Sequence, residues 1–211
     1  MNIVALGDSF TRGDELTDCN DAWPSQLAGM LGGVVDNRAV SAGSSRRVVN
    51  TAMDCILGNS VDLLVIGWPN PGRTEFADDV GRFDLWPGMH PATVGSAQPW
   101  RLQLSRYYNQ YHNDDYIYQQ YLLSVIALQS FIKQHQTACA MTVTWRTNHY
   151  AVTASLANQQ LEDHVDWSMF VEGRLGCMEE WTRDCPHGPG KHFLTQGHLR
   201  VATKFYQHIT K

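Results

Sequence analysis

A chain of 211 residues is long enough for one domain with a full core, and 43% apolar against 18% charged residues is an ordinary globular balance. The net charge of −5 excludes a nucleic-acid footprint, which needs clustered Lys and Arg; the one basic doublet is Arg46-Arg47. No apolar run reaches the roughly 18 residues of a membrane span, and the opening Met1-Asn2-Ile3-Val4-Ala5-Leu6 lacks the basic start and long apolar stretch of a secretory signal, so a cytoplasmic setting is expected.

In chain order, Asn2 to Leu6 reads as a short buried strand stopped by Gly7. Trp23-Pro24 opens a helix with Leu27, Met30 and Leu31 on its apolar face, and Gly32-Gly33 ends it. Val34 to Asn37 is a second strand. Ser44-Ser45 can cap a helix carrying Val48, Val49, Ala52, Cys55 and Ile56. Val61 to Gly67 is a third strand, apolar through its second half, as a parallel strand covered on both faces would be.

Residues 68–114 hold five prolines and scattered Trp and Tyr without a sustained period, and read as a long aromatic-rich loop with short helical pieces. From Tyr116, the residues Ile117, Tyr121, Val125, Leu128 and Ile132 recur at helical spacing. Ala138 to Trp145 is a fourth strand and Val165 to Val171 a fifth. Gly197 to Ile209 closes the chain as a helix with Leu199, Ala202, Phe205, Tyr206 and Ile209 inward. Alternating strands and helices predict an α/β fold: one domain over 1–211, a flavodoxin-like three-layer sandwich with a five-stranded parallel sheet and helices on both faces.

In such sheets chemistry lies beyond the carboxyl ends of the strands. Those loops carry Gly7-Asp8-Ser9-Phe10, then Asn37-Arg38-Ala39-Val40-Ser41-Ala42-Gly43, then Gly67-Trp68-Pro69-Asn70. The last helix is preceded by Asp184-Cys185-Pro186-His187-Gly188-Pro189-Gly190-Lys191-His192 and by Gly197-His198 at its own start. A serine on a tight turn needs a base to become a nucleophile, and the oxyanion it forms needs donors aimed at it.

These four elements, in this order, resemble the SGNH (GDSL-type) serine esterases, which carry G-D-S after strand one, N-x-x-x-x-G after strand two, G-x-N-D after strand three and D-x-x-H before the last helix. The run Gly67 to Glu75 resembles a divergent, often phage-encoded branch. The resemblance implies Ser9 as nucleophile, with Ser9 N–H, Gly43 N–H and the Asn70 amide as oxyanion hole. Gly43 falls one residue late, so Ala42 N–H can serve instead, and Asn70 is displaced by one residue. Two histidines compete as base: His192 by its distance to Gly197-His198, and His187 by the literal D-x-x-H with Asp184. Position 189, where a partner of His192 would stand, is Pro189, so Asp184 would orient His192 across a longer loop, or the pair works alone.

The resemblance implies a short acyl or acetyl ester substrate, small or carbohydrate-borne, with neither metal nor organic cofactor and no nucleic-acid or membrane partner. The alternatives are a flavodoxin-like phosphate- or nucleotide-binding module and a catalytically silent structural copy, with the virion as its setting if phage-encoded. Asp8 is expected to hold the turn together, His198 to sit at the start of the last helix, and Arg73 to pair with Glu75 or contact substrate. The aromatic set Trp86, Trp100, Tyr107, Tyr108, Tyr111, Tyr116, Tyr118 and Tyr121 is expected to anchor the long loop, with sugar contact as the second reading. Six other histidines (90, 112, 135, 149, 164 and 208) fit no metal spacing. The five cysteines contain no C-x-x-C pair and read as reduced, small apolar residues.

Overall fold

The computed structural model describes residues 1–58, 61–77, 81–86, 99–111, 113–145 and 155–211. Its elements in chain order are β1 (Asn2–Leu6), α1 (Ser9–Arg12), α2 (Trp23–Leu31), β2 (Val34–Asn37), α3 (Ser45–Leu57), β3 (Leu63–Trp68), β4 (Thr74–Ala77), β5 (Arg82–Leu85), α4 (Pro99–Tyr111), α5 (Asp114–Gln134), β6 (Ala138–Val143), α6 (Leu156–Glu162), α7 (Met178–Thr182) and α8 (Thr195–Ile209).

The main sheet is parallel and runs β2-β1-β3-β6. Register is fixed by pairs such as Ala5 opposite Asn37 on one side of β1 and Ala5 opposite Val65 on the other. Because β3 is apolar at every position, both of its faces can be covered, and both are. On one face Val4, Leu6, Leu64, Ile66 and Met141 pack against Val48, Ala52 and Ile56 of α3 and Tyr121, Val125 and Leu128 of α5. On the other, Ile3, Ala5, Leu63, Val65 and Ala140 pack against Trp23 and Leu27 of α2 and Val201, Ala202 and Phe205 of α8. Three layers result.

The expected fifth strand is not formed, so among the described residues the sheet has four strands and matches a flavodoxin-like plan only loosely. Trp167–Met169 winds instead into a 3-10 turn whose Ser168 N–H is capped by the Asp166 side chain. Single bridges, Met141 with Phe170 and Val143 with Cys177, hold the segment along the edge of β6. Between them Glu172 (φ 61) and Gly173 (φ 66) are left-handed, which throws the chain outward and stops a ladder from propagating.

The helix caps follow the sequence closely. Gly32 ends α2 at φ 63, and the Ser44 side chain accepts Arg47 N–H at the start of α3. The inward face of α8 differs from its expected one: Val201, Ala202 and Phe205 are buried, whereas Leu199 and Tyr206 are exposed. The stretch 68–114 is not mainly loop. It contains the antiparallel hairpin β4–β5 and the 13-residue α4. Residues 78–80, 87–98 and 112 of it lie outside the described residues, as do His90, His112 and His149.

Arg47 of α3 joins the hairpin to the body, its guanidinium 3.0 Å from Glu75 and 2.8 Å from Asp84. Burial raises the Asp84 carboxyl above its ordinary range, and Arg47 opposes that rise. The five cysteines are unpaired; Cys55, Cys177 and Cys185 are buried, and Cys19 is exposed.

Candidate active site

At the carboxyl end of β1, where strand order reverses, the chain turns sharply into α1. Gly7 makes the turn at φ 156, and a Cβ there would lie 2.3 Å from Thr11 Oγ1 and 2.7 Å from the Gly67 carbonyl. Asp8 caps α1 by accepting the Phe10 N–H at 3.1 Å. Its other oxygen meets Arg73 Nη1 at 2.7 Å. Asp8 is fully buried, and desolvation raises its pKa while the Arg73 charge and the Phe10 N–H pull it back down. Ser9 is the first residue of α1, nearly buried, and its N–H has no acceptor among the described residues.

The second loop is fastened to this turn. Asn37 donates from Nδ2 to the Thr11 carbonyl at 3.0 Å, and Val40 N–H donates to the Gly7 carbonyl at 3.1 Å. Val40 to Gly43 is a tight turn closed by Gly43 N–H on the Val40 carbonyl at 2.8 Å, with Ala42 at φ 62 in the position that takes positive φ in a type II turn. Gly43 N–H is therefore committed inside the turn, whereas Ala42 N–H has no acceptor among the described residues.

In the third loop Asn70 forms an Asx turn, its Oδ1 accepting Gly72 N–H at 2.8 Å. That bond fixes which end of the carboxamide is oxygen and turns the NH2 end the other way. Arg73 pairs with Asp8 and not with Glu75, which is taken by Arg47. The carbonyl of Gly72 accepts the Tyr108 hydroxyl at 2.7 Å, so α4 leans on this loop.

The last loop separates its candidates. Asp184 pairs with Arg200 on the surface and is not brought to His192. His187 is exposed and pairs by a backbone bridge with Phe193. It lines a cleft of about 270 Å³ together with Phe10, Trp145 and Lys191. His192 packs its ring 4.7 Å from that of Phe10, the residue after Ser9. Its Nδ1 lies 2.8 Å from Glu15 Oε2, a carboxylate that sequence motifs did not point to. His198 is fully buried: its Nδ1 accepts the Trp23 N–H at 3.0 Å, and burial lowers its pKa to about 3.

The aromatic set divides. Tyr118 and Tyr121 are buried in the core, while Tyr107, Tyr111 and Tyr116 are 62%, 62% and 60% exposed. These last three line a cleft of about 300 Å³ with Pro71, Arg73 and Gln120, so the cleft adjoins the loop that carries Asn70. Among the described residues no three His, Cys, Asp or Glu side chains are placed to hold a metal, and no helix is long and apolar enough to cross a membrane.

No family model matches the sequence, and no curated protein does. Solved structures do match over almost the whole chain. One is a lipolytic protein of the G-D-S-L family from Desulfitobacterium hafniense DCB-2, 11% identical, covering 98% of each chain at a TM-score of 0.56. TesA is 13% identical and covers 99% of this chain and 97% of its own at 0.60. A mutant of Axe2, an acetyl-xylooligosaccharide esterase from Geobacillus, is 13% identical and covers 100% and 94% at 0.57. With a parallel sheet sandwiched between helices and full-length superposition on these structures, the chain has the fold of the SGNH/GDSL-type esterases.

Proposed function

We propose that the chain is a carboxylic ester hydrolase of the SGNH type that works through a Ser9 acyl-enzyme. The observation that carries this reading is the His192 ring at 4.7 Å from Phe10, which brings the last loop against the residue after Ser9. Ser9 Oγ attacks the ester carbonyl carbon while His192 Nε2 takes its proton. The oxyanion is received by Ser9 N–H, Ala42 N–H and the Asn70 NH2. Collapse breaks the C–O bond, and His192 returns the proton to the departing alcohol. Water then attacks the acyl-enzyme with His192 again as base, which releases the carboxylic acid and restores Ser9. Histidine suits this exchange because its ordinary pKa is close to neutral pH.

The favoured substrate is a short acyl ester on a carbohydrate. Support comes from the exposed tyrosine faces beside Arg73 and from the likeness to an acetyl-xylooligosaccharide esterase.

A fluorophosphonate probe tests the nucleophile. Labelling is expected on Ser9 and lost in Ser9→Ala, together with a fall in p-nitrophenyl acetate turnover of about 10⁴-fold or more. Absence of labelling with tight binding of inorganic phosphate would instead support a phosphate-binding module. For the substrate, partially acetylated xylotetraose should be turned over with a lower KM than p-nitrophenyl acetate. Tyr111→Ala should raise the first KM and leave the second unchanged.

A further inference from the structure

Resting on the Ser9–His192 reading, we infer that Glu15, supplied by the first loop, is the carboxylate that positions the catalytic histidine, in place of an aspartate in the histidine's own loop. Three donors converge on it. His192 Nδ1 lies 2.8 Å from Oε2, His192 N–H donates to the same oxygen at 3.1 Å, and Gly190 N–H donates to Oε1 at 2.7 Å. The last loop is therefore wrapped around an imported carboxylate, and its own sequence is shaped for that. Position 189, three before the histidine, is Pro189, whose side chain carries no acid. The residues on either side of it are glycines, and a Cβ on Gly188 would lie 2.8 Å from Glu15 Cδ, one on Gly190 3.0 Å from Glu15 Oε2. Both glycines make room for the carboxylate.

The first loop is shaped to deliver it. Gly13 ends α1 at φ 88, and Glu15 itself stands at φ 70, a left-handed conformation that strains an L-residue and persists only when its surroundings hold it. The side chain is only about 20% exposed. Other acids are spoken for or remote: Asp184 pairs with Arg200, Asp14 with Ser41 and Arg12, and Asp8 with Arg73.

An ionised carboxylate has acceptors only, so the proton between the two groups belongs to Nδ1. That sets the tautomer and leaves the Nε2 lone pair for the Ser9 hydroxyl. When His192 takes the Ser9 proton it becomes an imidazolium, and the Glu15 charge stabilises it; the proton stays on histidine throughout.

The test is Glu15→Gln, which removes the charge and keeps one of the two oxygens as an acceptor, the other giving way to an NH2. With p-nitrophenyl acetate, kcat should fall about 10²-fold or more at nearly constant KM. The acid limb of the kcat/KM profile should move to lower pH, because an imidazolium without its counter-charge loses its proton more readily. Glu15→Asp should restore part of kcat and return the limb toward wild type. Gly188→Ala, which keeps the charge and displaces it, should lower kcat as well, so the proposal stays testable if Glu15→Gln does not fold.

Wild-type turnover and an unshifted limb in Glu15→Gln would overturn the inference. So would equal losses in Glu15→Gln and Glu15→Asp without movement of the limb, since a purely structural clamp predicts that. Loss in Asp184→Asn with full activity in Glu15→Gln would return the role to Asp184. A wild type with no Ser9-dependent turnover would instead remove the hydrolase reading itself, a separate outcome.

Discussion

Arg73 Nη1 sits 2.7 Å from Asp8 Oδ2, so the residue next to Ser9 is a buried carboxylate whose counter-charge comes from the loop after β3. The pair ties the Gly7-Asp8-Ser9 turn to the Asn70 turn. Removing one member of a buried pair leaves the other charged and unpaired, which costs about 3–5 kcal/mol. Arg73→Leu should destabilise the protein by about that much at neutral pH.

The sign of its pH dependence follows. Burial already raises Asp8 above its ordinary pKa, and losing Arg73 removes the main opposing influence. A raised folded-state pKa means stability is fullest below the unfolded pKa and is lost as pH rises through the folded one. Arg73→Leu should therefore regain stability relative to wild type as pH falls from 7 toward 5. Urea midpoints at the two pH values measure this, and a constant difference would show that Asp8 is not the group responsible.

His198 gives the opposite slope. Its pKa is held near 3 by burial, and its Nδ1 accepts the Trp23 N–H, so protonation would set two donors against each other. A depressed folded-state pKa means stability is present above about pH 6.5 and declines as pH falls through the window down to about 3. Over the two pH units below 6.5 the loss is about 3 kcal/mol. His198→Asn keeps an acceptor for Trp23 and should flatten that part of the slope, read as the wild-type minus variant difference in unfolding free energy at pH 7 and 4.5.

Asn70 offers a kinetic prediction. Its oxygen is held by Gly72 N–H, and the proposed mechanism gives its NH2 to the oxyanion. Asn70→Ala should lower kcat about 10²-fold with little change in KM, because the lost bond matters only once charge develops. A rise in KM at constant kcat would assign Asn70 to ground-state binding.

Ala42 stands at φ 62 in the turn that adjoins Gly7. Glycine adopts that conformation without the Cβ clash, though it loses more entropy on folding. Ala42→Gly should raise stability by about 0.5–1 kcal/mol, read as an increase in Tm. A lower Tm would mean that the methyl contributes packing that outweighs the strain.

Much of the architecture is legible locally. Strands β1, β2, β3 and β6, the Gly32 stop of α2 and the Ser44 cap of α3 all follow from patterns spanning a few residues. Val165 to Val171 has strand composition and yet forms no strand, because Asp166 caps a 3-10 turn within it and left-handed Glu172-Gly173 follow it. The hairpin β4–β5 was hidden for a related reason: Arg47, far away in sequence, holds it by two carboxylates.

Sequence by itself determined the order of loops at the sheet's carboxyl edge and singled out Ser9, because a strand followed by Gly-Asp-Ser is a short-range pattern. Only the tertiary structure decided which partners those loops acquire. It set Arg73 on Asp8, Arg200 on Asp184 and Glu15 on His192, the last two residues lying 177 positions apart. A charge acts over a few ångströms of space whatever the length of chain between partners, so only folding brings Glu15 and His192 into contact.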